Sequence, residues 1–145
     1  MNPLDVDIIY SKFRDINESV ERLRGFRDVA LDEFLSDSDK QDIASFRLIV
    51  ATEAAIDICL HIAAKMLKRV PDEYAACFQL LGEHELIDRD LSSRLAKMAR
   101  FRNLLIHRYW QIDYTRLYQI ITGPDIEDLS AFISQVSRLT QKKGK

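Results

Sequence analysis

Residues 43–64 read IASFRLIVATEAAIDICLHIAA, and this stretch limits the fold more than any other. It holds neither glycine nor proline, and Ile43, Phe46, Ile49, Val50, Ile56, Ile58 and Ile62, continued by Met66 and Leu67, spread over most of a helical circumference. A helix that is apolar on most sides must be covered on most sides, so it belongs at the centre of a helical bundle. Arg47, Glu53, Asp57 and His61 interrupt the run too often for a membrane span.

The rest of the chain supplies helices to surround it. Ile9, Phe13, Ile16, Val20 and Leu23 recur at spacings of four and three, which predicts a first helix over about 4–35 with Gly25 as a weak point. "SDSDKQ" breaks the pattern. Ser38 and Gln41 have capping-box spacing, so Ser38 is the expected start of a second helix over about 39–69. Pro71 should stop that helix and open a short third one, which Gly82 closes. Asp88 is the expected cap of a fourth helix carrying Leu91, Leu95 and Met98. Asp113 should cap a short helix through Leu117, Ile120 and Ile121 that Gly123-Pro124 ends. From Asp125 a last helix turns Ile126, Leu129, Phe132, Ile133, Val136 and Leu139 inward, and the tail QKKGK frays. Only four glycines and three prolines occur in 145 residues, which suits helices better than many tight turns. The expected fold is all-α, an up-and-down bundle of five to six helices in one domain, 1–145, with its ordered core over about 5–140.

Charge narrows the function classes. A net charge of −2 excludes a generic polyanion binder. The distribution is uneven, because from Arg94 to Arg116 six basic residues face one acidic residue, Asp113. Such an excess can attract a phosphate backbone, or it can be a solvated helix face. Cys59 and Cys77 lack metal-type spacing and suggest a reducing compartment. With no signal-peptide pattern, the expected compartment is the cytoplasm, and no cofactor or metal is expected.

The fourth helix breaks its own rule. Its apolar seam runs Leu91, Leu95, Met98 and then reaches positions 102, 105 and 109, which are Arg102, Leu105 and Tyr109. A guanidinium thus stands where the bundle expects an aliphatic side chain. Unpaired, it would cost several kcal/mol, so it needs a carboxylate or faces a cleft that takes an anion. Glu53 and Asp57 are the candidate carboxylates. Asn103 and His107 lie one turn apart and share a face. His107 lies about 140° around a straight helix from Arg102. The two converge only if the helix distorts near 103–108, or if two copies of the segment meet across a dimer.

Imidazole can move protons near neutral pH, and a guanidinium can hold a phosphate bidentately and stabilise charge on a phosphorane-like transition state. Together they suit metal-independent RNA cleavage by the adjacent 2′-hydroxyl. A capping histidine and a salt-bridged arginine are the plainer reading, and the residues alone leave both open.

Arg102, four residues, His107, one residue, Tyr109 forms an R-x4-H-x-Y pattern. With its surroundings, "FRNLLIHRYWQIDYTRLYQII", the upstream "VPDEYAACFQLLGEHELID" and the late "EDLSAFISQV", it resembles the HEPN family, in particular HepT-like toxins encoded beside a minimal nucleotidyltransferase antitoxin. The resemblance implies a homodimeric all-α bundle whose arginines and histidines line a cleft between subunits. It implies a type VII-like toxin that cleaves RNA without metal. Arg102 and His107 would be catalytic, Asn103 supporting, and Tyr109 the acceptor of AMP from the nucleotidyltransferase. Arg100, Arg108 and Trp110 are possible RNA contacts. The alternative is a non-catalytic helical subunit that binds a nucleotide or presents a substrate to a nucleotidyltransferase.

Glu53, Asp57, His61 and Lys65 stand one turn apart and could hold a divalent ion, but a polar stripe with internal ion pairs is favoured. Trp110 is expected in the core or a dimer interface before an RNA site, and His84 in an exposed loop.

Overall fold

A computed structural model describes residues 2–141. Among them seven α-helices run α1 (Val6–Arg24), α2 (Leu31–Leu35), α3 (Ser38–Ile62), α4 (Tyr74–Glu83), α5 (Arg89–His107), α6 (Tyr114–Thr122) and α7 (Glu127–Gln141). The tail predicted to fray lies, beyond Gln141, outside the described residues.

α3 is the central post, with α1, α2, α4, α5, α6 and α7 all packing against it. Its buried positions include Ala44, Ala51, Ala54 and Ala55 beside Leu48, Ile56, Ile58 and Ile62. Small residues at those contacts let the neighbouring helices come close. The expectation of burial nearly all round fails in the first turns, where Ile43 is 50% and Phe46 57% exposed. No helix among the described residues covers that side.

The predicted first helix is two helices. After Arg24 the chain tightens into a 3₁₀ turn, Gly25–Asp28, and Val29 is extended. The break lets Phe26 turn inward onto Phe34, edge to face at 5.8 Å, and the Tyr118 hydroxyl donates to the Val29 carbonyl. α3 starts at Ser38 itself, so its cap lies one residue earlier than expected. Asp37 is the N-cap, accepting from the Asp39 and Lys40 amides, while Gln41 donates back to the carbonyls of Phe34 and Leu35. The acidic oxygen one residue upstream takes the capping role that the spacing assigned to Ser38.

α3 closes through a wide π-type turn, Ala63–Leu67, and Lys68 takes left-handed φ 55°. Pro71 lies in the connection, and α4 begins only at Tyr74. Gly82 sits inside the last turn of α4 rather than beyond it. A Cβ there would stand 2.2 Å from Ser92 Oγ and 2.7 Å from Ser92 Cβ, so glycine lets α4 and α5 approach closely. Asp88 occupies the N-cap position of α5, but its carboxylate accepts from Gln135 Nε2 at 2.9 Å while Gln135 Oε1 accepts from the Asp88 amide at 2.8 Å. That reciprocal pair ties α5 to α7. Asp113 does cap α6, accepting from the Arg116 amide at 3.1 Å. A 3₁₀ turn, Pro124–Ile126, delays α7 to Glu127.

His61 fastens the amino-terminal end of α1, since its Nε2 accepts from the Asp5 amide at 2.9 Å. Burial and the nearby Lys65 lower its pKa below the ordinary histidine range, outweighing Asp5. The folded state therefore disfavours the imidazolium. Its contribution is complete above the unfolded pKa and is lost as pH falls through the folded one. A urea-unfolding series between about pH 7.5 and 5 is expected to lose stability across that window. His61→Gln, which can still accept through its amide oxygen, should flatten the loss; an unchanged slope would remove His61 as its cause. Among the described residues no helix is long and apolar enough to cross a membrane.

Candidate functional site

α5 carries the site on its last turns. Leu91, Leu95, Met98 and Leu105 are buried along the helix, as the seam requires. Arg102 interrupts them with a side chain only 13% exposed. Its guanidinium has carboxylate company: Nε donates to Glu53 Oε2 at 3.1 Å and Nη2 donates to the same oxygen. Nη1 donates to Asn103 Oδ1 at 2.9 Å. One face of the group lies 5.4 Å from the Tyr74 ring centroid, a cation–π contact from the start of α4.

The need for a partner was legible in the seam, and Glu53 of α3 meets it. Asp57 does not. One turn further along, it pairs with Lys12 of α1 at 3.1 Å, because α3 rotates its side chain toward α1. His61 is committed to the Asp5 amide. The polar stripe of α3 is thus divided among three neighbours, and among the described residues no group of three or more His, Cys, Asp and Glu gathers as a metal would need. Tyr74 had no sequence signal. It lies on the far side of a loop from α3 and far upstream of Arg102, and only the α4–α5 packing brings it there.

A guanidinium has five N–H donors. Three are engaged, which leaves one on each terminal nitrogen of Arg102. Donors on neighbouring terminal nitrogens can together meet two oxygens of a phosphate. Glu53 has a side chain 44% exposed, so the ion pair sits at the rim of the bundle rather than deep in it.

α5 ends at His107. Arg108 leaves the helical region at φ −134°, ψ 42°, and a 3₁₀ turn, Tyr109–Gln111, follows. The seam predicted Tyr109 on the Arg102 face; the helix stops before it reaches that position. His107 is exposed and its side chain makes no hydrogen bond among the described residues. Within one chain Arg102 is turned toward α3 and α4, and no hydrogen bond joins it to His107. Tyr109 and Trp110 are 67% and 65% exposed, edge to face at 5.2 Å. Trp110 therefore stands outside the core of the chain. Arg100 and Arg108 are exposed as well, and His84 lies exposed after α4 as expected. Chemically, the site offers a fixed guanidinium with two unused N–H donors, an exposed imidazole about one and a half turns on, and two accessible aromatics beside it.

Residues 16–136 match the family model described as ribonuclease HepT-like. The chain is 29% identical over 131 residues to the mRNA nuclease HepT of Shewanella oneidensis, covering 90% of this chain and 96% of that protein. It is 29% identical over 122 residues to the tRNA nuclease HepT of Aphanizomenon flos-aquae, covering 84% and 83%. Its fold is similar to that of a tri-AMPylated Shewanella oneidensis HEPN toxin solved in complex with an MNT antitoxin, with a TM-score of 0.83 and 28% identity over 91% of this chain and 98% of that one. It is also similar to a chain of a toxin–antitoxin structure with AMP-PNP, with a TM-score of 0.80 and 29% identity over 90% and 98%.

Proposed function

The chain belongs to the HepT-like ribonuclease family, and on that premise we propose that it is an endoribonuclease toxin, restrained by a minimal nucleotidyltransferase that adds AMP to Tyr109. The observation that carries this reading is the arrangement on α5: an arginine held by Glu53, Asn103 and Tyr74 with two donors to spare, and an unencumbered His107 next to exposed Tyr109. The nuclease and toxin names of the relatives support it.

The reaction needs no metal. His107 accepts the proton of a ribose 2′-hydroxyl, and the 2′-oxygen attacks the adjacent phosphorus. The spare N–H groups of Arg102 hold the non-bridging oxygens as charge builds on them. The bond from phosphorus to the 5′-oxygen breaks, and that oxygen takes a proton. The products are a 2′,3′-cyclic phosphate and a 5′-hydroxyl. In a homodimer a cleft between copies brings the imidazole of one copy to the guanidinium of the other, which one chain holds apart.

Cleavage of bulk tRNA and mRNA by the purified, unmodified protein in EDTA tests this, with the ends characterised. Cyclic-phosphate ends are expected. A folded protein that cleaves nothing would sink the nuclease reading. It would favour the non-catalytic subunit, which the separation of Arg102 from His107 within one chain also fits.

The exposure of Tyr109 leaves its hydroxyl accessible for AMP transfer. The Tyr109 hydroxyl attacks the α-phosphorus of ATP on the nucleotidyltransferase, its proton leaves, and pyrophosphate departs. The product places a bulky anion two residues from His107, where it blocks the cleft and repels RNA. Tyr109→Phe is expected to cleave RNA like the wild type yet take up no label from α-³²P-ATP and escape neutralisation. Labelling at undiminished level would place the acceptor elsewhere.

A further inference from the structure

Outside the Arg102–His107 site, the molecule carries a groove on the opposite flank of the same helix. Its wider part, about 360 Å³, lies where α5 meets α6 and α7 and includes Lys97, Phe101 and Arg116. A narrower part, about 160 Å³, shares Phe101 and Arg116 and takes in Arg108. From Lys97 to Arg108 the groove follows about 16 Å of helix at about 1.5 Å per residue. It thus passes the residue that follows His107.

The charges along it are not balanced. Asp128 is occupied by Arg94, whose Nε donates to both carboxylate oxygens at 3.1 Å. Asp113 is occupied capping α6. That leaves Asp125 as the uncommitted carboxylate, against Lys97, Arg108 and Arg116, which have no carboxylate partner among the described residues. Arg116 is exposed but not loose: its guanidinium lies 4.9 Å from the Phe101 ring centroid, which holds the charge over the groove. At the Arg108 end stand the exposed rings of Tyr109 and Trp110. A line of free cations leading to exposed aromatic faces is the chemistry that holds single-stranded nucleic acid, phosphates along the cations and a base against a ring.

We propose that this flank of α5 is a track for the RNA strand, with Lys97 and Arg116 binding phosphates away from the cut and Arg108 and Trp110 guiding the strand into the cleft. The proposal rests on the ribonuclease reading and deepens it. The track makes long strands better substrates than short ones and contributes nothing to bond cleavage itself.

Lys97→Gln/Arg116→Gln tests it, in two arms. In the first, the double substitution is placed in full-length His107→Ala protein, so that a fluorescein-labelled single-stranded RNA of about 20 nucleotides binds without being cut. The slope of log Kd against log salt should shrink by about 1.4, at about 0.7 per lost phosphate contact. In the second, the otherwise native double variant should cleave a dinucleotide at the wild-type rate and the long strand with a raised KM and unchanged kcat. An unchanged salt slope overturns the proposal. So does equal loss of dinucleotide cleavage in a variant that keeps the wild-type circular-dichroism spectrum and melting temperature, which would place Lys97 and Arg116 at the cut itself. RNA binding that is intact while the complex with the nucleotidyltransferase weakens would assign the flank to that protein instead. If the native enzyme cleaves neither substrate, the ribonuclease reading fails, and the salt slope alone still decides whether the track binds RNA.

Discussion

His107→Ala is expected to slow RNA cleavage by about 10²–10⁴-fold, the usual worth of a positioned proton-transfer group. The protein itself should be nearly untouched. His107 is the last residue of α5, exposed, and without a side-chain hydrogen bond among the described residues, so the change in unfolding free energy should stay within about 0.5 kcal/mol. The combination of lost rate and retained stability separates catalysis from structure; a variant within threefold of the wild type would remove His107 from the mechanism. The same variant also tests the composite cleft. A heterodimer purified from His107→Ala and Arg102→Ala copies carrying different tags retains one intact Arg–His pair only if each cleft combines residues of two copies. It should then recover about half of the dimer's activity. No recovery would mean that each chain uses its own pair.

Arg102→Lys is the second large effect, with kcat/KM falling by about 10²–10³-fold. Charge is retained, so the loss would come from geometry. Arg102 reaches Glu53 with Nε and Nη2, reaches Asn103 with Nη1, and still has a donor left on each terminal nitrogen. An ammonium has three donors in a compact tripod and no planar face for Tyr74. It cannot serve Glu53, Asn103 and two phosphate oxygens at once. The fall should appear mainly in kcat, because the fork matters most as charge grows on the phosphate. A purely additive loss in KM would instead make Arg102 a binding residue without a part in the transition state.

The difference between what could be read in advance and what could not follows the range of each interaction. Helix periodicity is local, so Leu91, Leu95 and Met98, or Ile9, Phe13 and Ile16, announced their buried faces. Arg102 announced its need for a partner for the same reason, because it fell on a seam. The choice of partner was only half legible, since Glu53 and Asp57 differ by one turn and only the placement of α1 sends Asp57 to Lys12. Helix ends were the weak point. The apolar pattern runs on past Arg24 and past His107, although the chain turns at both, for Phe26 to reach Phe34 and for Ile112 and Asp113 to start α6. The Ser38–Gln41 spacing suggested one cap, and Asp37 made a better one. Tyr74 was invisible because nothing short of the packed α4–α5 pair connects it to Arg102.

The close fit of Gly82 against Ser92 and the end of α5 at His107 give Arg102 and His107 different mechanical characters. Arg102 sits within a helix clamped to α4, beneath the Tyr74 ring, so its position changes only if that pair of helices opens. His107 hangs at the final turn, joined directly to the irregular segment 108–113. A pull on that segment reaches the last turn of α5 first, and Arg102 only through the packed α4–α5 pair.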